Sequence, residues 1–229
     1  MDSLSSQFYK AFVKNNRWML YIKGLGSTLE VTLFAALLGL VLGTLACLFN
    51  MKRGRSGKRT VGSVIAYVYI DVIRGTPTMI QLLIMWNVIM AASKNKILVA
   101  SLAFGINSGA YVAEIIRGGI QSVDPGQMEA GRSLGLTRIQ TLKNVVLPQA
   151  FKNCFPSLMN EVITLLKETS IAGAVGLAEL THASDMVSSA TYQYMMPLLG
   201  AAVMYFAVVK LMSFLFGILE NKLKESDMR

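Results

Sequence analysis

The residues best placed for chemistry stand in one apolar stretch, where Ser157, Asn160, Glu161, Thr164, Lys167 and Glu168 interrupt a run of Leu, Ile, Val and Met. On a helix, at about 100° per residue, all six fall on one face. Ionisable groups inside a membrane span are costly, so they face a water-filled path, a protein interior or a ligand. The segment enters at about Ala150, which puts Asn160 and Glu161 near mid-membrane for a span of about 20 residues. The chemistry on offer is binding: hydrogen bonds from an amide and charge pairing from a carboxylate. Lys167 and Glu168, further out, serve as a gate or as an ion pair between subunits, and the alternative for the whole face is a structural polar seam. Bond-breaking chemistry finds no support. No nucleophile–base pair, metal-ligand spacing or phosphate-cradling glycine loop can be assembled.

The elements that hold this face belong to a membrane protein. The chain has 229 residues, is 53% hydrophobic and 15% charged, and has a mean hydropathy of +0.49, too apolar for an ordinary soluble domain of this size. Its net charge of +9 comes from Lys and Arg gathered beside apolar runs, the pattern of topology-setting charge rather than of a nucleic-acid surface. Cys47 and Cys154 lie far apart in apolar segments and imply no disulfide framework or metal site, and the single His182 adds nothing.

Residues 1–23 lack the basic-then-apolar start of a cleavable signal peptide. Leu4, Phe8, Ala11 and Phe12 recur at helical spacing among Lys10, Lys14 and Arg17, which predicts an amphipathic helix on the membrane surface. Span one covers Gly24–Asn50, with Gly39 and Gly43 at a spacing that permits close helix approach, and Glu30 at its interfacial end. Lys52, Arg53, Arg55, Lys58 and Arg59 then mark the cytoplasmic side. A continuous helix over 60–92 would run roughly 50 Å against a hydrocarbon core of about 30 Å, so one long helix bent at Pro77 is expected. Asp71 and Arg74, three apart, can neutralise each other there. After an outer turn at Lys94 and Lys96, span three runs over 97–120, with an ion pair expected between Glu114 and Arg117. Span four starts at Ala150. An outer segment with Glu179, His182 and Asp185 reads as negatively charged, and span five covers 195–219 before the positive Lys222, Lys224 and Arg229. The expectation is an all-α, polytopic fold of five spans, N-terminus outside and C-terminus inside.

Between spans three and four lies a polar stretch, DPGQMEAGRSLGLTRIQTLKNVVLP, residues 124–148. Asp124 with Gln127 and Thr137 with Gln140 each have capping-box spacing, and Gly135 suits the left-handed residue that closes a helix. Two short helices around a tight turn are predicted. The second is amphipathic through Ile139, Leu142, Val145 and Val146, and its apolar edge needs lipid headgroups or a partner protein.

Glu129, Ala130 and Gly131, then Gly135, then Val145, Leu147 and Pro148 resemble the EAA loop of permeases in ATP-binding-cassette importers, with Gly131 in place of the third-position Ala and Val145 in place of Ile. Arg74-Gly75-Thr76-Pro77 with Gln81, and the run GAYVAEIIRGGIQSVDPGQMEAGRSLG, resemble the polar-amino-acid permeases of that class, and the likeness covers most of the chain from about Gly24. The resemblance implies a type I importer permease fold in a bacterial inner membrane: an N-terminal interfacial segment (1–23), a permease domain (24–220) and a cytoplasmic tail (221–229). It implies that Glu129, Ala130, Gly131, Ser133, Leu134 and Gly135 form a coupling helix docked on ATPase subunits. Thr76, Asn160 and Glu161 would line a substrate site, joined by Ser157 and Thr164 on the same face. ATP is then bound by the partner, and this chain needs no cofactor or metal. The implied partners are the ATPases, a second permease subunit (identical or not), an extracytoplasmic amino-acid-binding protein, membrane lipid and a polar amino acid. Glu161 would favour a cationic side chain and Asn160 would equally receive glutamine. The rival class is an ATP-independent channel or ion-coupled carrier relaying ions through Glu161, Lys167 and Glu168.

Overall fold

The computed structural model of the chain describes residues 3–51 and 60–225 and contains no strand among them. The basic cluster at 52–59 and the terminal Arg229 lie outside the described residues. A short α1 (Leu4–Phe8) continues through a π-helical turn (Tyr9–Val13) and a 3-10 turn (Lys14–Asn16) into α2 (Trp18–Met51). The helix of span one therefore begins already at Trp18, because Asn15 and Asn16, at φ 58° and 54°, make the break that separates it from the N-terminal piece. Beyond it come α3 (Val61–Arg74), α4 (Thr78–Ile84) with a π turn to Ile89, α5 (Lys96–Gln121), α6 (Pro125–Ser133), α7 (Arg138–Thr141), α8 (Leu147–Glu168), α9 (Leu180–Thr191) and α10 (Met195–Glu225).

Among the described residues three helices are long and apolar enough to cross a membrane: Trp18–Met51, Lys96–Gln121 and Met195–Leu223. A fourth candidate is the pair Val61–Arg74 and Thr78–Ile89, bent by 108°. The single bent helix expected over 60–92 is thus two helices. Pro77 has no N–H to continue the α3 ladder and disfavours helical geometry at Thr76 before it. By composition α8 falls outside this group, since Lys152, Glu161, Lys167 and Glu168 dilute its apolar character; its length of 22 residues suits a span whose polar face is covered by protein or water.

The chain divides into two compact units. The first comprises Met1–Leu37, Pro77–Gly105 and Ile163–Ser213. Its core gathers Ala11, Tyr21, Leu180, Val187 and Ala201. Glu179 is fully buried there rather than part of a negative outer surface. Its carboxylate caps α9, accepting from the N–H groups of Thr181 and His182 at 2.6 Å each, and Tyr205 donates its hydroxyl to the same group at 3.1 Å. The Leu180 N–H donates to Thr28 Oγ1 at 3.2 Å, tying α9 to α2. Buried polar groups are tolerable only when paired, and these bonds give the buried carboxylate of Glu179 its partners.

The second unit comprises Leu38–Thr76, Ile106–Val162 and Phe214–Arg229. Here the Gly39/Gly43 spacing has its expected consequence. A Cβ on Gly43 would stand 2.6 Å from Val112 Cβ and 2.7 Å from the Gly109 carbonyl oxygen, so α2 and α5 approach nearly backbone to backbone. Tyr69 of α3 donates to the Ile106 carbonyl at 2.6 Å, and Ser63 donates to the Asn50 carbonyl at 3.1 Å. α8 meets α5 through Cys154 and Leu158 against Val112.

Candidate functional site

The polar face of α8 presents Ser157 and Asn160 exposed, with Glu161 and Thr164 half-buried. Glu161 is anchored: Ser108 of α5, itself 2% exposed, donates its hydroxyl to Glu161 Oε1 at 2.8 Å. That bond restricts the rotamers of a long side chain, which lowers the entropic cost of engaging any ligand at this carboxylate. Ser108 is the residue that sequence reasoning missed. Its signal was a polar Asn107-Ser108 pair in the middle of an apolar span. Thr76 sits at the break after α3, exposed, with its hydroxyl donating back to the Val72 carbonyl at 2.9 Å.

Nearby in the second unit, ion pairing differs from the local expectation. Glu114 and Arg117 are joined by two hydrogen bonds, at 2.9 and 2.7 Å, as their spacing suggests. Arg74, however, reaches Glu114 at 3.5 Å rather than Asp71, and its guanidinium lies 5.4 Å from the Tyr111 ring centre. The carboxylate of α5 and the aromatic face together outcompete a same-helix neighbour, whose i,i+3 attraction is worth only about 0.2–0.5 kcal/mol.

The hairpin over residues 124–148 is built by its caps. Asp124 accepts from the Gly126 N–H at 2.8 Å instead of making a box with Gln127, whose side chain accepts from Gln149 at 3.3 Å. Thr137 and Gln140 form the complete reciprocal box. At the end of α6, Gly135 takes φ +84°, with Leu136 N–H on the Gly131 carbonyl and Gly135 N–H on the Arg132 carbonyl, the two bonds of a Schellman closure. The second arm runs on without a break: α7 passes through a π turn, where Leu147 N–H bonds the Leu142 carbonyl, directly into α8. The widened turn falls just before Pro148, which has no N–H for the regular ladder. Glu129, Ala130, Ser133, Leu134 and Gly135 are exposed, and Leu134 and Ile139 stand 83% and 77% accessible.

Gly131 alone among the coupling candidates is buried, and its departure from Ala has a steric cause. A Cβ there would lie 2.4 Å from Thr141 Cγ2. Gly131→Ala should cost about 1–3 kcal/mol of local stability, read as faster hydrogen exchange over residues 125–141. Adding Thr141→Ser, which removes the nearest obstructing atom and leaves Oγ and Cβ at 3.0 and 3.2 Å, should reverse part of it. Unchanged exchange in Gly131→Ala would show that the hairpin accommodates the methyl without cost.

Comparison with known proteins places this architecture. The family described as the binding-protein-dependent transport system inner membrane component matches residues 35–225, and the chain belongs to that family. Relatives include the putative glutamine transport system permease protein GlnP of Rickettsia conorii, 38% identical over 88% of this chain and 92% of its own length. The arginine transport system permease protein ArtQ of Bacillus subtilis is 36% identical over 90% of this chain and 93% of its own. Among solved structures, one titled as an amino acid ABC transporter with histidines superposes with a TM-score of 0.84 at 39% identity, covering 97% of this chain and 99% of that one. The inward-facing MetNI methionine ABC transporter shares the fold at 19% identity, with a TM-score of 0.77 over 92% of this chain and 99% of that one. The protein is thus a multi-pass inner-membrane permease component. Its family works with ATPase and substrate-binding partners, and ATP hydrolysis takes place in separate subunits. No group of three or more metal-ligating side chains occurs among the described residues.

Proposed function

We infer that this permease imports a polar amino acid, holding it against the α8 face and releasing it inward when partner ATPases drive the inner hairpin. The observation that carries the reading is the hairpin itself: a capped, Schellman-closed handle whose apolar residues Leu134 and Ile139 stand exposed between α5 and α8. A chain without a nucleotide site is driven by contact, and exposed leucine and isoleucine on a rigid turn are suited to a complementary groove. The candidate substrate set is Ser157, Asn160, Glu161, Thr164 and Thr76. The candidate coupling set is Glu129, Ala130, Gly131, Ser133, Leu134 and Gly135. In this reading residues 1–23 lie at the outer interface, 24–220 form the permease domain and 221–229 the inner tail. Two permease subunits enclose the path, and an extracytoplasmic binding protein delivers the ligand.

The substrate follows from homologues whose names specify glutamine and arginine, both compatible with an amide beside a carboxylate. The decisive experiment reconstitutes the chain with its ATPase and binding protein in vesicles and measures labelled arginine and glutamine uptake. Uptake should require both partners and ATP. Flux from this chain alone would replace the importer by the carrier reading. A cysteine at Leu134 should label from the cytoplasmic side, and labelling from outside would remove the handle from any ATPase.

A further inference from the structure

The second unit holds an open-sided cavity of about 720 Å³ that none of the five substrate candidates lines. That volume is within the range of small-molecule sites, about 300–1,000 Å³. Among the described residues its charged lining cancels, Asp71 and Glu114 against Arg74 and Arg117, with Tyr67 and Tyr111 contributing aromatic wall. A balanced lining disfavours nucleotides and polyamines and favours a ligand that carries one charge of each sign. Two of the four charges are committed, since Glu114 and Arg117 hold each other through two short bonds. Asp71 is exposed and has no side-chain partner among the described residues. Arg74, with a side chain 43% accessible, stands only loosely against Glu114 at 3.5 Å and rests over Tyr111, so donors on its outer edge remain available. Asp71 and Arg74 occupy the last turn of α3, with Cβ atoms about 5–6 Å apart. That spacing is one that the head group of a single amino acid can bridge.

We propose that this cavity is a second amino-acid site, in which Arg74 pairs with the α-carboxylate and Asp71 with the α-ammonium of a free amino acid arriving from the cytoplasm. The inward placement rests on the topology of the proposed importer: the cavity is bounded by Asn50 and Met51, directly before the basic cluster, and by Gln121, directly before the hairpin. Asp71 and Arg74 lie just ahead of the break at Gly75–Pro77, so an occupant that bridges them stiffens the last turn of α3. Accumulated product then slows further import.

The test uses the complete importer in vesicles preloaded with unlabelled glutamine or arginine. Preloading wild type should lower the initial rate of ATP-driven uptake by about five-fold or more, within the usual range of coupling between sites. N-acetylglutamine and agmatine, each lacking one head-group charge, should not inhibit. Asp71→Asn should abolish the inhibition, read as the ratio of loaded to unloaded rates, and Asp71→Glu should retain it. Equal inhibition in Asp71→Asn, or inhibition by the two analogues as strong as by glutamine, would overturn the proposal. A second arm measures equilibrium binding of labelled glutamine and arginine to the permease–ATPase complex without ATP. Glu161→Gln should keep a binding component that Asp71→Asn loses, and a single component lost only in Glu161→Gln would also overturn the proposal. Failure of the importer reading would appear separately, as absent ATP-driven uptake in unloaded wild-type vesicles, while the binding arm would still decide the cavity.

Discussion

Gly135→Val is expected to abolish the coupling of ATP hydrolysis to uptake, lowering transport by ten-fold or more while the permease–ATPase complex still assembles with little change in melting temperature. Space is not the cause, because nothing lies within 4 Å of a Cβ built on Gly135. The cause is the backbone. At φ +84° an L residue pays roughly 1–2 kcal/mol for left-handed geometry, and a β-branched one is a genuine outlier there. Relaxing that angle breaks the Leu136-to-Gly131 and Gly135-to-Arg132 bonds and swings Leu134, the most exposed apolar side chain of the hairpin, out of the position proposed for ATPase contact. The transmembrane helices do not depend on this turn, so folding should survive. Gly135→Asn is the control, since Asn tolerates left-handed geometry and should keep most of the coupled activity. Transport per ATP unchanged in the valine variant would mean that the ATPase does not read the hairpin's shape.

The second large effect concerns charge at the proposed substrate face. Glu161→Gln should reduce arginine uptake by about 10-fold or more relative to glutamine uptake, because a hydrogen bond to a charged group contributes about 1.5–3 kcal/mol. The amide keeps the side chain's size and can still accept from Ser108, so glutamine uptake should change by less than about three-fold. Ser108→Ala is a companion with a smaller expectation, about 1 kcal/mol, since it frees the carboxylate without removing its charge. An unaltered ratio of arginine to glutamine uptake in Glu161→Gln would take the carboxylate out of the substrate site.

The local features that proved legible are those decided by a few adjacent residues. Gly135 as a helix closer and Thr137 with Gln140 as a capping box follow from backbone sterics and hydrogen bonds over three or four positions. The Glu114–Arg117 pair is legible for the same reason. Asp71 with Arg74 had the same spacing and failed, because a third residue from α5 and an aromatic ring compete for Arg74, and neither is visible from α3 alone. Glu179 was misread as a surface charge. Leu177, Ala178 and Leu180 beside it are apolar, and only the packing of Thr28 and Tyr205 shows that its carboxylate is buried as a cap. Gly131 was read as a slight departure from the EAA pattern, and Thr141 across the hairpin explains it.

By itself the sequence determined that the chain is an apolar, all-helical membrane component with one polar helix face and one capped hairpin, since hydropathy, helical spacing and cap chemistry are properties of contiguous residues. Tertiary structure alone decided which groups Glu161 and Arg74 bond, that the second hairpin arm runs unbroken into α8, and that Asp71 and Arg74 open onto a common cavity. Those outcomes depend on which helices come to lie side by side, and the pairing energy of a charge is set by whatever group packing brings within a few ångströms.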